Sequence, residues 1–431
     1  MDKCKVASYA LQQAKALGAD EAECAVNEKE ITELYYESGK ISMVRTNFNN
    51  ALSLKILKDK RKGTVSLNSL DASDIDFAVR QAVENAEHAE PDEAEGICDR
   101  SGRSDFRRGK TPVDLDRLYD RLAEFLACSA DEYPEISFDS VIAKYIYADS
   151  VYLNTNDTEL YEDECLYEFS PMYMAREGSM TSSFNASDFF FRCPDRPFMD
   201  MGMTRQLIEQ TRRQVRTCAV EGKFEGPVIF TPPCLEDILG MIEDNFLSDR
   251  VLISGASPYK NRLNDKVASD ILTVACRPLD QDLVCGYFST SDGYPAENMN
   301  LIEKGVLRNF VLSRYGAAKT GLARSANDGG CYVVDAGHTP LEKMIGGIKQ
   351  GLLVNRFSGG SPGVDGDFTG VAKNSFLIKD GMIADAVSET MISGNLMQLL
   401  QSVSAVSSER VNNGEYILPW VKVEGITVSG K

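Results

Sequence analysis

Several stretches of this chain carry residue types that could do chemistry. Glu236, Asp237, Glu243, Asp244 and Asp249 crowd one helix-forming segment and could be imagined as ligands for a hard divalent cation. Such a cation needs several oxygens converging from more than one turn. Nothing in this spacing forces that, and acids are favoured near the positive end of a helix, so a solvated acidic face is expected. Ser361 lies in GGSPG and meets the letter of G-x-S-x-G. A nucleophile elbow needs a strand before the serine, a helix after it and a histidine later in the chain. Pro362-Gly363 opens no helix and no histidine follows, so Ser361 reads as a turn serine. Cys331, beside Gly330, is a thiol on a plausible cleft loop, but no histidine lies within a few residues to take its proton. The only histidines, His88 and His338, stand alone, and a lone histidine is ordinarily structural or simply exposed.

A different signal comes from Phe357–Gly370, FSGGSPGVDGDFTG, where five glycines in fourteen residues call for left-handed or closely approached backbone. No Gly-Lys-Ser/Thr follows and no strand–helix unit encloses it, so it is neither a Walker loop nor a dinucleotide fingerprint. By itself it predicts an ordered loop.

The elements that must position these residues can be taken in order. Residues 2–17 have the spacing of an amphipathic helix with Val6, Tyr9, Ala10, Ala14 and Leu17 on one side and Gly18 as its stop. Five short strands are predicted at 21–26, 30–37, 41–47, 51–58 and 63–68. A helix capped by Asp71 or Ser73 follows to His88, with Ile75, Phe77, Ala78 and Ala82 inward. Residues 89–110 read as a polar surface connection, 112–130 as a helix, 136–191 as strands with a hairpin turn at 154–157, and 200–220 as a long helix. Gly226–Val251, GPVIFTPPCLEDILGMIEDNFLSDRV, reads as strand, Pro-Pro turn and amphipathic helix with Ile238, Leu239, Ile242 and Phe246 inward. Beyond it, strand–turn–strand is expected at 300–311, helices at 341–352 and 395–406, and a hairpin at 376–383. The fold class is α+β: N-terminal helix–antiparallel-sheet units, then a mostly β, barrel-like C-terminal domain with helices packed on it. The expected domains are 1–88, 111–220 (packed with the first as one lobe) and 222–431.

The chain has 431 residues, a length that favours two or three domains, and a net charge of −19. That charge argues against a phosphate-backbone binder, which needs a cationic face, so no nucleic-acid partner is expected. Eleven cysteines without a C-x-x-C pair suit a reducing compartment. No apolar run reaches the ~18 residues of a spanning helix, and the N-terminus lacks a signal-peptide core. A cytoplasmic protein without a membrane partner is the expectation.

The Pro-turn helix, GADEAE, KGTVSLNSL, Gly366-Asp367-Phe368-Thr369, the block from Asp292-Gly293 to Asn327 and SETMISGNLMQLLQSV together resemble the TldD/PmbA family. Its members are called modulators of DNA gyrase and are read as zinc metallopeptidases. Catalytic members carry His-Glu-x-x-x-His on the Pro-turn helix, and the resemblance lays those positions on Gly240, Met241 and Asn245. None of these supplies the imidazole, thiolate or carboxylate that zinc or a general base requires. The family's C-terminal cysteine ligand is also missing, since the last cysteine is Cys331. The resemblance is therefore to the metal-free PmbA (TldE) branch. It implies no catalytic residue and no cofactor here, with zinc only in a catalytic partner. It also implies a peptide cleft lined by Gly359, Gly360, Ser361, Asp367, Phe368 and Asn395. The expected role is the silent subunit that pairs with a TldD-like catalytic homologue in proteolysis of unfolded peptides. The alternatives are a homodimeric peptide binder and a hydrolase using groups other than zinc. Two histidines five apart lie about 140° around a regular helix, so catalytic members must distort it. Without the metal, a more regular or shifted helix is expected.

Overall fold

A computed structural model of the chain describes residues 2–430; Met1 and Lys431, the outer bounds of the first and last expected domains, lie outside the described residues. Helix α1 (Lys3–Ala16) starts at Asp2, whose carboxylate accepts from the Cys4 amide, and buries Val6, Ala7, Ala10 and Ala14. Leu17 points to solvent at 41% exposure instead of joining that face. Strands β1 (Glu21–Glu37), β2 (Lys40–Lys58) and β3 (Arg61–Leu67) form a meander, three strands where five short ones were expected. No Gly or Pro interrupts 27–29 or 48–50, so β1 and β2 stay paired straight through these polar stretches. Helix α2 (Ala72–His88) buries Ile75, Ala78 and Ala82 over the sheet, but Phe77 is 61% exposed, contrary to its expected inward position.

The segment expected to be a plain connection contains β4 (Gly102–Arg107), and its Glu95 is buried between Lys55 and Lys62. Helix α3 (Leu115–Glu132) leads to the long antiparallel pair β5 (Ile136–Asn154) and β6 (Thr158–Glu177), whose turn places Asp157 at φ +59°. Short returns β7 (Met180–Thr181), β8 (Asn185–Ala186) and β9 (Phe189–Phe191) pair back on β6. The sheet order is β3-β2-β1-β5-β6-β4, with β4 parallel to β6. Helix α4 spans only Thr204–Arg213: Gly202 at φ +54° keeps the preceding residues out of it, and beyond its end Thr217–Cys218 are in extended backbone.

The second sheet opens with β10 (Thr217–Cys218) and β11 (Lys223–Phe230). Helix α5 (Pro232–Ile242), a wide turn (Glu243–Leu247) and α6 (Asp249–Ile253) follow. Next come β12 (Val274–Cys276), β13 (Met299–Glu303), β14 (Val306–Leu307), α7 (Arg314–Thr320) and β15 (Tyr332–Val334). Helix α8 (Leu341–Gly346) is half its expected length, and Leu352 belongs instead to β16 (Gln350–Val354). Strands β17 (Arg356–Gly359), β18 (Asp367–Lys373), β19 (Ser375–Lys379), β20 (Met382–Val387) and β21 (Met391–Asn395) follow in close succession. Helix α9 (Leu396–Gln401) also ends early, and β-branched Val403 and Val406 continue into β22 (Val403–Asn412). Strand β23 (Ile417–Ser429) closes the chain.

The principal strand path is β10-β20-β19-β16-β11-β23-β15-β12-β13-β14, with β21 and β22 also paired to β23. This path does not return on itself, so the sheet is branched and mixed and forms no closed barrel. The fold is α+β. One apolar cluster joins the two sheets: Phe169 and Phe189 from the first, with Phe198 from the turn after β9, meet Ile229, Leu353, Phe376 and Trp420 from the second. Each such side chain contributes about 1.5–3 kcal/mol on full burial, which makes the junction between sheets part of the core. No described helix is long and apolar enough to cross a membrane.

Candidate functional site

The Pro-turn frame stands as its residues require. Thr231 precedes α5, Pro232 and Pro233 occupy its first turn, and Leu235, Ile238, Leu239 and Ile242 are buried. The expected regular helix is not found. Residues Glu243–Leu247 form a π-helical turn, and the Ser248 amide donates to the Glu243 carbonyl at 3.0 Å. Packing gives the reason. The wide turn buries Phe246 and Leu247 together, and Phe246 packs 4.9 Å from the Tyr259 ring. It also turns Glu243 inward, where its carboxylate accepts from the Tyr332 hydroxyl at 2.8 Å and the Gly330 amide at 3.3 Å. Burial raises the Glu243 carboxyl above its ordinary value, and those two bonds oppose the rise. These contacts come from the chain's own side chains and backbone.

The three positions matched to the zinc motif do not fit zinc. A Cβ on Gly240 would meet nothing within 4 Å, so this position faces open space. Met241 packs against the C-terminal core. Asn245 donates its amide to the Met241 carbonyl at 2.8 Å. Glycine offers no donor, a thioether is a soft ligand, and the carboxamide is engaged. Among the described residues, no group of three or more His, Cys, Asp or Glu is placed to hold a metal ion.

The acids of this segment, read as one solvated face, separate into different roles. Asp237 and Asp244 are exposed, whereas Glu236, Glu243 and Asp249 are half-buried. Asp249 accepts from the Ser313 amide at 3.0 Å and from its hydroxyl, fixing the start of α7. Glu243 faces Tyr332, and Glu236 and Asp237 line a cavity.

Of the six residues matched to a peptide cleft, Asp367, Phe368 and Asn395 sit together on the paired strands β18 and β21, and Gly359, followed by Gly360 and Ser361, is set beside them by its pairing with Gly370. Gly359, at the end of β17, and Gly360 and Ser361 beyond it are exposed. Strand β17 pairs only with β18, which leaves its second edge without a strand partner among the described residues. Phe368 is buried edge-to-face against Phe357 at 5.7 Å. Asn395 locks the loop: its amide donates to the Asp365 carbonyl and to Asp367, both at 2.8 Å, while its oxygen caps α9. Gly366, at φ +88°, lies over the wide turn, since a Cβ there would stand 2.8 Å from Phe246 Cζ.

The enclosed space lies one strand back. A cavity of 240 Å³ opens between the two sheets. From α5 it takes Glu236 and Asp237, and from the segment after β16 it takes Asn355 and Arg356. The β22–β23 turn adds Asn413, Glu415 and Tyr416, and the first sheet adds Ser187 and Asp188. Local bonds aim these groups. Asn413 Oδ1 accepts from the Glu415 and Tyr416 amides, both at 3.0 Å. Gly414, φ +91°, lets the turn approach the first sheet, where a Cβ would lie 2.3 Å from the Phe190 carbonyl oxygen. Burial, with Asp237 and Glu415 adding repulsion, pushes the Glu236 carboxyl up to about 7. The sequence reading did not find Asp188, Arg356, Glu415 or Tyr416, because only the meeting of the two sheets makes them neighbours.

The PmbA/TldA metallopeptidase C-terminal domain matches residues 222–430, and PmbA/TldA metallopeptidase domain 1 matches residues 22–86. The chain belongs to the PmbA/TldD family. Metalloprotease PmbA of Escherichia coli O157:H7 is 24% identical over 441 residues, covering 94% of this chain and 93% of the relative. A metalloprotease of Archaeoglobus fulgidus is 32% identical over 168 residues, 36% of this chain and 39% of the relative. The crystal structure of TldE from Thermococcus kodakarensis superimposes with a TM-score of 0.84 at 22% identity, covering 99% of this chain and 100% of that one. These PmbA/TldD relatives carry the likeness across both sheets, and the TldE likeness speaks to the fold.

Proposed function

We propose that this PmbA/TldD-family chain is a non-catalytic subunit that holds extended peptide and works beside a homologue bearing the intact zinc motif. One observation carries the reading. The strand–Pro-turn–helix frame and its wide turn are intact, yet Gly240, Met241 and Asn245 stand at the motif positions. Around that frame lie the features a peptide holder needs: an edge at β17 without a second strand, an exposed glycine-rich loop and an adjoining cavity. Extended peptides are commonly held by adding a strand to a sheet edge, where backbone bonds give affinity with little demand on sequence. Without the zinc ligands and general base, such a groove would retain affinity for peptide and contribute no hydrolytic group of its own.

The test is to tag the chain in its native host, purify it gently and assay both composition and hydrolysis of an unfolded protein. The expected result is a stoichiometric homologue carrying His-Glu-x-x-x-His, with hydrolysis abolished by chelation and absent from the isolated chain. Recovery of the chain alone would sink the subunit reading. Hydrolysis by the chain alone, insensitive to chelators, would point to a hydrolase using its own carboxylates.

A further inference from the structure

The cavity between the sheets is acidic without being a metal site. Asp188, Glu236, Asp237 and Glu415 face it, and Arg356 is the one cation among its lining residues. Arg356 is drawn over the Phe184 ring, 4.3 Å from its centroid. The Glu236 and Glu415 carboxylates have no hydrogen-bond or ion-pair partner among the described residues, whereas Asp188 is bonded by Ser170. Two further groups mark the space as built for an occupant. Tyr416 is only 7% exposed and lines the cavity, yet its hydroxyl has no hydrogen-bond partner among the described residues. Ser187, 5% exposed, also lines it with an unpartnered hydroxyl. Buried hydroxyls ordinarily find partners; the Ser187 oxygen is fully covered without one, and the Tyr416 hydroxyl is left open to the cavity. The apolar part of the wall includes Met203, Leu207, Pro233 and Val411, and Asn185, Asn355 and Asn413 also line it.

We propose that this cavity receives a primary ammonium group on a short apolar stem, held by the Glu236 and Glu415 carboxylates and the Tyr416 hydroxyl. The inference rests on the peptide-holding reading and names the part of the peptide that enters: a lysine side chain or the N-terminal amine. An ammonium offers three donors and accepts nothing, which suits spread carboxylate and hydroxyl acceptors. Its stem would lie along the apolar wall. A divalent ion would need oxygens converging on one point, and these do not converge. The cavity, 240 Å³, has room for one side chain and is too small for a folded segment.

The test uses the full chain and two kinds of probe. By calorimetry at pH 8, n-butylammonium is expected to bind saturably and n-butanol not to bind. Glu236→Gln and Glu415→Gln should each weaken n-butylammonium about tenfold or more through loss of a charge-assisted bond. Asp244→Asn, on the outer face of the same segment, should change nothing. Equal binding of the amine to wild type and both glutamate variants, or no binding, overturns the pocket. Capped alanine pentapeptides with a central lysine or norleucine, and the norleucine peptide with a free N-terminus, then separate the sources. A gain for lysine assigns the side chain, and a gain for the free N-terminus assigns the α-amine. Equal binding of all three peptides overturns the ammonium pocket and leaves the groove. Binding of n-butylammonium with no peptide bound supports the pocket and overturns the groove.

Discussion

Replacing Glu236 by Gln should stabilise the protein at alkaline pH and leave it nearly unchanged in mild acid. The carboxyl lies half-buried on α5, facing Asp237 and Glu415, without a hydrogen-bond or ion-pair partner among the described residues. Its ordinary value of 4.5 is raised to about 7 in the folded chain. The folded state therefore keeps a proton that the unfolded chain has released. Stability from that proton is fully present below pH 4.5 and is lost as pH rises through about 7. At about 1.4 kcal/mol per tenfold, the full difference is about 3 kcal/mol. Partial exposure and screening bring the expected effect to about 2 kcal/mol. Glutamine has nearly the same shape and no charge, so E236Q should exceed wild type by about that amount at pH 8 and match it near pH 4.5. Trp420, the single tryptophan, is 6% exposed in the core shared by both sheets and reports its unfolding by fluorescence in urea. A gap between variant and wild type that is the same at both pH values would refute the desolvation argument.

The other expectations concern the frame around the cavity. Gly366→Ala forces a side chain at φ +88° to within 2.8 Å of Phe246 and should cost about 1–3 kcal/mol in urea unfolding; no loss would mean that the loop does not rest on the wide turn. Tyr332→Phe removes the hydroxyl donated to Glu243 and should cost about 1.5–3 kcal/mol at pH 8. The loss should shrink in acid, where the raised Glu243 carboxyl takes up a proton and no longer makes a charge-assisted bond; a pH-independent loss would refute that reason. Asn395→Ala deletes the cap of α9 and both bonds to the glycine loop. A loss of about 1–2 kcal/mol is expected, with amide exchange in 363–367 accelerating; unchanged exchange would count against the lock.

What could be read from the sequence was mostly local. The turns at Asp157, at Lys304-Gly305 and at Asp380-Gly381 have the positive φ values their residue types allow. Helix α5 was legible from its proline start and apolar spacing. The wide turn was not, because Ile238, Ile242 and Phe246 also fit a regular helix. The burial of Leu247 directly after Phe246 was the one hint of an extra residue. Helices α8 and α9 were expected too long because apolar spacing over a dozen residues does not separate a helix from a helix followed by a strand. The continuity of β1 and β2 hung on the absence of breakers, a weaker signal than their presence. The acids were visible one by one, but their grouping was not. Asp188 and Glu415 are far apart in the chain, and only the close approach at Gly414 places the β22–β23 turn against the first sheet.

The wide turn after α5 also bears on how such a chain diverges. Phe246, Leu247 and the bonds of Glu243 hold its shape, and none of these residues stands at the positions matched to the zinc motif. At position 240 a side chain would meet no atom within 4 Å. Glycine inside a helix is about 0.5–1 kcal/mol worse than alanine, so nearly any replacement there is tolerated by the scaffold. Position 240 can therefore change its side chain while the turn after α5 keeps every contact that holds its shape.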